Sequence, residues 1–118
     1  MYKRQGCDAE AACRELSEYY DIIRHESGSG IAGTTIELVP KGFNKAVGIS
    51  AVCRLFDIPW EDTIVFGDSN NDLAMFEYAA VKVAMGNGSE KIKVLADYIT
   101  QDMFHYGIRN GLEYLKLI

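Results

Sequence analysis

The sequence is poor in proline, with 2 in 118 residues, and it contains no repeat and no low-complexity tract. With 48% apolar residues, that excludes a collagen-like or disordered chain. Positive charge is also scarce. Only 12 Lys and Arg stand against 17 Asp and Glu, a net charge of -5 that is badly matched to a phosphate backbone, so no nucleic-acid partner is expected. Long apolar runs are missing as well. Apolar-rich stretches, such as Thr63 to Phe66 and Val81 to Met85, have only strand length, so no membrane span is expected. Met1 to Gly6 lacks the apolar stretch of a secretory signal. Cysteine is limited to Cys7, Cys13 and Cys53, an odd number at no metal-ligand spacing. Cys13 and Cys53 fall on apolar helical faces and read as buried thiols of a reducing, cytoplasmic location.

What is present is an ordered alternation of patterns. Ala12, Cys13, Leu16, Tyr19 and Tyr20 recur at helical spacing behind Asp8, a candidate N-cap. Asp21 to Glu26 and Thr34 to Val39 are β-rich and flank the glycine loop Ser27 to Gly33, which predicts two paired strands. After Pro40 the texture changes to helix (Lys45 to Phe56), strand (Thr63 to Phe66), helix (Asn71 to Ala80), strand (Val81 to Met85), helix (Glu90 to Ala96), short strand (Tyr98 to Thr100) and helix (Gly107 to Leu117). Such alternation predicts an α/β fold, a Rossmann-like parallel sheet with flanking helices, over residues 41–118. Residues 1–40 read as a separate α/β piece, with the boundary near Pro40.

Gly28-Ser29-Gly30-Ile31-Ala32-Gly33 matches the dinucleotide fingerprint in letters only. Its last glycine leads into the β-branched run Thr34 to Val39, so no helix N-terminus would face a pyrophosphate. The segment with chemistry is Thr63-Ile64-Val65-Phe66-Gly67-Asp68-Ser69-Asn70-Asn71-Asp72. There an apolar strand runs into small polar residues that open a helix, at the sheet's carboxyl end where α/β folds bind ligands. Asp68 at that point is a suitable oxygen ligand for Mg²⁺, Asn71 offers an amide to a phosphate oxygen, and Asp72 is a second carboxylate. Ser, Asn and Asp are also the preferred helix caps, so a purely structural reading stays open.

Lys45 weighs against that structural reading. With Asn44 as N-cap, it stands in the first helical turn, where the macrodipole disfavours a cation unless an anion faces the same place. Most lysines are simply solvated, but this one precedes the Asp68 cluster by 23 residues, across one helix and one strand. Gly86-Asn87-Gly88-Ser89 follows the next strand, with Ser89 as cap. It could line the same site or be a plain tight turn. His25 and His105 have no partner at ligand spacing, Arg24 and His25 read as solvated strand positions, and Trp60 reads as a packing residue.

The run Glu37 to Lys45, then Ile64 to Met75, Val83 to Gly88, Ala96 to Thr100 and Gly107-Ile108, resembles the carboxyl-terminal part of Cof-like hydrolases of the haloacid dehalogenase superfamily. The resemblance covers residue 34 to the end, with residues 8–33 matching the last helix and strands of an inserted α/β cap. It implies a Mg²⁺-dependent phosphatase acting on sugar phosphates and similar small esters through an aspartyl-phosphate. It also implies a catalytic set of Lys45, Asp68 and Asp72, in which Lys45 contacts the phosphate and nucleophile, Asp68 is a metal ligand, Asn71 contacts the phosphate, and Asp72, a second metal-site carboxylate, supports Lys45 or the metal shell.

The sequence departs from that family at one place. Of its eight aspartates no two have Asp-x-Asp spacing, so the Asp-x-Asp-Gly-Thr motif with the nucleophile is absent, as is the phosphate-binding Ser or Thr of the second strand. The expectation is therefore a carboxyl-terminal portion of a phosphatase, inactive alone, whose partner is a small phosphorylated metabolite. Its strand at Thr63 to Phe66 would become an unprotected edge open to self-association. The alternative is a non-catalytic module that binds phosphate or Mg²⁺.

Overall fold

A computed structural model describes residues 9–25 and 35–118. Cys7, the Asp8 cap and the Gly28 to Gly33 loop lie outside the described residues. The chain divides into two compact units, Met1–Phe43 and Asn44–Ile118.

In the first unit, helix α1 (Ala9–Leu16) buries Cys13, as its apolar spacing predicts. It is followed by strands β1 (Tyr20–His25) and β2 (Thr35–Pro40), antiparallel and in register from Tyr20 opposite Pro40 to His25 opposite Thr35. Lys41 N–H donates to the Tyr19 carbonyl at 3.1 Å, extending the pairing one step past the strands.

The second unit holds a three-stranded parallel sheet in the order β3 (Ile64–Gly67), β4 (Val81–Ala84), β5 (Tyr98–Ile99). Helices α2 (Lys45–Phe56), α3 (Leu73–Tyr78), α4 (Glu90–Leu95) and α5 (Gly107–Tyr114) accompany it. Strand alternation sends Val65 and Ala84 to one face, where they join Met75, Phe76 and Ala79 of the α3 region and Ile92 of α4 in the buried core. Phe66 and Val83 point to the other face and meet α5. A Cβ on Gly111 would stand only 2.5 Å from Phe66 Cε1 and 3.4 Å from Val83 Cγ1, so the helix backbone lies directly on the sheet. β3 is the end strand of this sheet, with one side unpaired among the described residues.

The elements match the sequence expectation in order and type, with shifted ends. The helix expected from Asn71 begins as a 3₁₀ turn over Asn70–Asp72, and α5 stops at Tyr114 rather than Leu117. Lys116 there takes a left-handed φ of 58°. Its N–H donates to Glu113 O at 3.0 Å and Leu117 N–H to Leu112 O at 2.9 Å, the paired bonds that close a helix C-terminus. Trp60 lies on a further 3₁₀ turn and is half exposed, tied by its indole N–H to the Tyr78 carbonyl rather than packed in the core.

Candidate active site

The three parallel strands end together at Gly67, Ala84 and Ile99, and their carboxyl-terminal loops are stitched to one another. Met85 N–H donates to Gly67 O at 2.9 Å, and Gly86 N–H to Gln101 O at 3.1 Å. An open cleft of about 460 Å³ lies beside this end, lined by Lys45, Phe66, Gly67, Asp68, Asp72, Met75, Met85 and Ile108.

Lys45 reaches the cleft because α2 starts where the sequence predicts. Asn44 Oδ1 accepts Val47 N–H at 3.0 Å as the N-cap, which places Lys45 at the first helical position. The Lys45 ammonium donates to Asp72 Oδ1 across 27 residues of chain, with its own side chain half in solvent. Asp72 itself is buried, 3% exposed. Its second oxygen, Oδ2, accepts the backbone N–H of Asp68 at 2.9 Å and of Ser69 at 3.2 Å. Burial opposes ionisation of Asp72 more than any other single effect. The hydrogen bond from Lys45, the two N–H donors and the Lys45 charge together outweigh it and hold the carboxyl below its ordinary range.

Gly67 makes this arrangement possible. A Cβ there would stand 2.6 Å from Phe76 Cε2 and 2.9 Å from Asp72 Cβ, so only glycine lets the buried carboxylate fold back beneath the strand end. Asp68, one residue on, is exposed at the cleft. Its carbonyl accepts Ser89 N–H at 2.8 Å, and its Oδ2 faces Asn87 Nδ2 at 3.4 Å.

The structure therefore brings Lys45, Asp68 and Asp72 together around one cleft. Asn71 stands on the adjoining 3₁₀ turn and is not among the lining residues. Its Oδ1 accepts the Ser69 hydroxyl at 2.6 Å, and among the described residues no acceptor takes its amide N–H groups. The sequence leaves the Gly86-Asn87-Gly88-Ser89 turn open between lining this site and a plain tight turn, and the structure brings its Asn87 against Asp68; Met85 and Ile108 are given no role by the sequence. In that turn a Cβ on Gly86 or Gly88 would meet backbone at 2.8 Å. His105 pairs through Nδ1 with Asp102 Oδ1 at 2.7 Å, away from the cleft lining. Cys13 and Cys53 are buried free thiols, as expected. Among the described residues no helix is long and apolar enough to cross a membrane.

The sequence and the fold recur in known proteins. Residues 5–112 match the family model described as haloacid dehalogenase-like hydrolase. The chain is 41% identical over 83 residues to the 5-amino-6-(5-phospho-D-ribitylamino)uracil phosphatase YitU of Bacillus subtilis, a stretch covering 70% of this chain and 31% of that protein. Among solved structures, a haloacid dehalogenase-like hydrolase from Bacteroides thetaiotaomicron superposes with a TM-score of 0.75 at 33% identity, over 90% of this chain and 38% of that one. A HAD subclass IIB sugar phosphatase gives 0.76 at 31% identity, over 93% and 41%. The chain thus spans about a third of the curated relative and two fifths of the structures it resembles. With a matching parallel α/β core and a family match over nearly its whole length, the chain belongs to the haloacid dehalogenase-like hydrolases.

Proposed function

We propose that this chain supplies the lysine, a metal carboxylate and the phosphate amide of a phosphatase that hydrolyses small phosphate monoesters such as sugar phosphates. The reaction runs through an aspartyl-phosphate whose nucleophile lies outside these 118 residues. One observation carries the reading: a half-exposed ammonium, Lys45, is fixed by a buried carboxylate, Asp72, beside an exposed carboxylate, Asp68, at the carboxyl end of a parallel sheet. An ammonium has three donors, and Asp72 takes one, leaving the others for a phosphoryl oxygen. Asn71, with its amide N–H groups unclaimed, adds a neutral donor from the next turn. Held this way, the cation needs little reorganisation to meet the charge that builds on the transferring group.

Mg²⁺ takes one or two protein carboxylates and fills its shell with water and substrate phosphate. Asp68 fits such a place, being exposed at the strand end with one oxygen that no donor takes among the described residues. Asp72, named beside it from the sequence as a metal ligand, has Oδ1 turned to Lys45 and Oδ2 to two N–H groups, which suits positioning Lys45 better than direct ligation. When bound, the ion would offset charge on the phosphoryl oxygens. Among the described residues no three His, Cys, Asp or Glu converge, so these residues offer part of a coordination shell. The remaining carboxylate, the nucleophile, is assigned to a segment with the Asp-x-Asp motif that this sequence lacks. Residues 1–40 are assigned to the end of an α/β cap, and the site of action to the cytoplasm.

The test is hydrolysis of a generic aryl phosphate by the purified chain with Mg²⁺. No turnover is expected. Mg²⁺-dependent turnover that disappears in Asp68→Ala would show that the nucleophile is within the chain. The DNA upstream of Met1 separates the enzyme from a binding module: an in-frame Asp-x-Asp-Gly-Thr supports the former, a promoter and start site the latter.

A further inference from the structure

We infer that Asn87 is a positioning residue that aims the Asp68 carboxylate into the cleft. The turn after β4 is clamped onto Asp68 at three points. Ser89 N–H donates to the Asp68 carbonyl at 2.8 Å. A Cβ on Gly88 would stand 3.3 Å from Asp68 Cα, so the two backbones touch where a larger residue would push them apart. Between them, Asn87 points its amide nitrogen at Asp68 Oδ2, 3.4 Å away.

The amide can face only one way. Asn87 Oδ1 accepts Met103 N–H at 3.2 Å, so Nδ2 must turn toward the carboxylate. Reversing it would set a carbonyl oxygen against a carboxylate oxygen and an NH₂ against an N–H. Met103 is itself braced, because it opens the 3₁₀ turn Met103–His105. There Asp102 Oδ1 accepts Phe104 N–H at 2.9 Å and His105 N–H at 3.0 Å. A capped turn thus fixes the amide, the amide holds one oxygen of an otherwise exposed side chain that lines the cleft, and among the described residues no donor takes the other oxygen. Groups of this kind behind a metal carboxylate govern how well it binds. The proposal rests on the metal role of Asp68 given above for one of its two readouts only.

The test follows the side-chain carboxyl ¹³C resonances of Asp68 and Asp72 by NMR in the unsubstituted chain, Asn87→Ala and Asn87→Asp. Without metal, both substitutions are expected to move the Asp68 resonance and leave that of Asp72 in place. Asn87→Asp matters because it keeps an acceptor for Met103 N–H while losing the donor, so a mere loop tether would be spared by it. In a Mg²⁺ titration read at Asp68, Asn87→Ala is expected to weaken binding about tenfold. An Asp68 resonance that stays put, or one that moves together with Asp72 as in a general loosening, would overturn the inference. If the unsubstituted chain shows no Mg²⁺ response at Asp68, the metal assignment fails instead, and the metal-free resonances alone decide the role of Asn87.

Discussion

Replacing Asp72 by alanine should cost far more stability than removing the lysine that pairs with it. Asp72→Ala deletes a buried acceptor of three hydrogen bonds and leaves the N–H groups of Asp68 and Ser69 and the Lys45 ammonium without it. Bonds to a charged group contribute about 1.5–3 kcal/mol each. Partial replacement by water at the half-exposed lysine brings the expected total to about 3 kcal/mol. Lys45→Met keeps the apolar stem and removes only the ammonium. Because that side chain is half in solvent, its ion pair is screened, and the expected cost is about 1 kcal/mol. The single tryptophan, Trp60, lies in the same unit and is tied to Tyr78 O, so its fluorescence in urea reports the unfolding of this unit.

The Asp72 effect also has a definite pH dependence. Its folded carboxyl titrates below the ordinary value, so its stabilisation is complete above the unfolded pKa of about 3.9 and is lost as pH falls through the lower folded value. The gap between the unsubstituted chain and Asp72→Ala should hold from pH 7 to about pH 5 and narrow as pH falls below about 4 through the lower folded value. Equal costs for Lys45→Met and Asp72→Ala, or a gap that does not narrow in acid, would refute the view that the buried carboxylate organises the site.

Other substitutions test the frame around it. Gly111→Ala forces a methyl to within 2.5 Å of the Phe66 ring and should destabilise by about 1–3 kcal/mol in thermal melts; an unchanged midpoint would mean that α5 does not lie on the sheet as described. Thr63 is buried, donates to Trp60 O at 2.6 Å and accepts Ala80 N–H at 3.0 Å. Thr63→Val orphans that N–H and should cost about 1–3 kcal/mol in urea unfolding, whereas a neutral result would contradict the bond. The unpaired side of β3 predicts concentration-dependent association in sedimentation velocity, reduced by Ile64→Lys; a monomer at every concentration would remove the edge from consideration.

The lysine and carboxylate pattern is legible in the sequence because local rules place each residue. Asn44 caps a helix, Lys45 follows it, and Gly67-Asp68 ends an apolar strand, all without knowledge of long-range packing. The 3₁₀ turn Asn70–Asp72 is not legible. Its geometry depends on the Asp72 carboxylate bonding back to the N–H groups of residues 68 and 69, a choice that competes locally with helix. The turns Trp60–Asp62 and Met103–His105 are too short to carry a period. Trp60, read as a packing residue, is half exposed, with its indole N–H on the Tyr78 carbonyl, a backbone partner that the sequence does not reveal. For the Gly86 to Ser89 turn the sequence leaves two readings open, because the meeting of Asn87 with Asp68 and Met103 arises only when parallel pairing brings the strand ends side by side.

The central claim is that Lys45, Asp68 and Asn71 form one phosphate and metal site. The most direct measurement is a backbone and side-chain NMR titration of the chain with millimolar Mg²⁺ and inorganic phosphate. The account predicts shifts confined to Lys45, Asp68, Asn71 and their neighbours, with the Mg²⁺ response lost in Asp68→Ala and the phosphate response weakened in Lys45→Met. Shifts spread over the surface, or a site response that survives both substitutions, would contradict it.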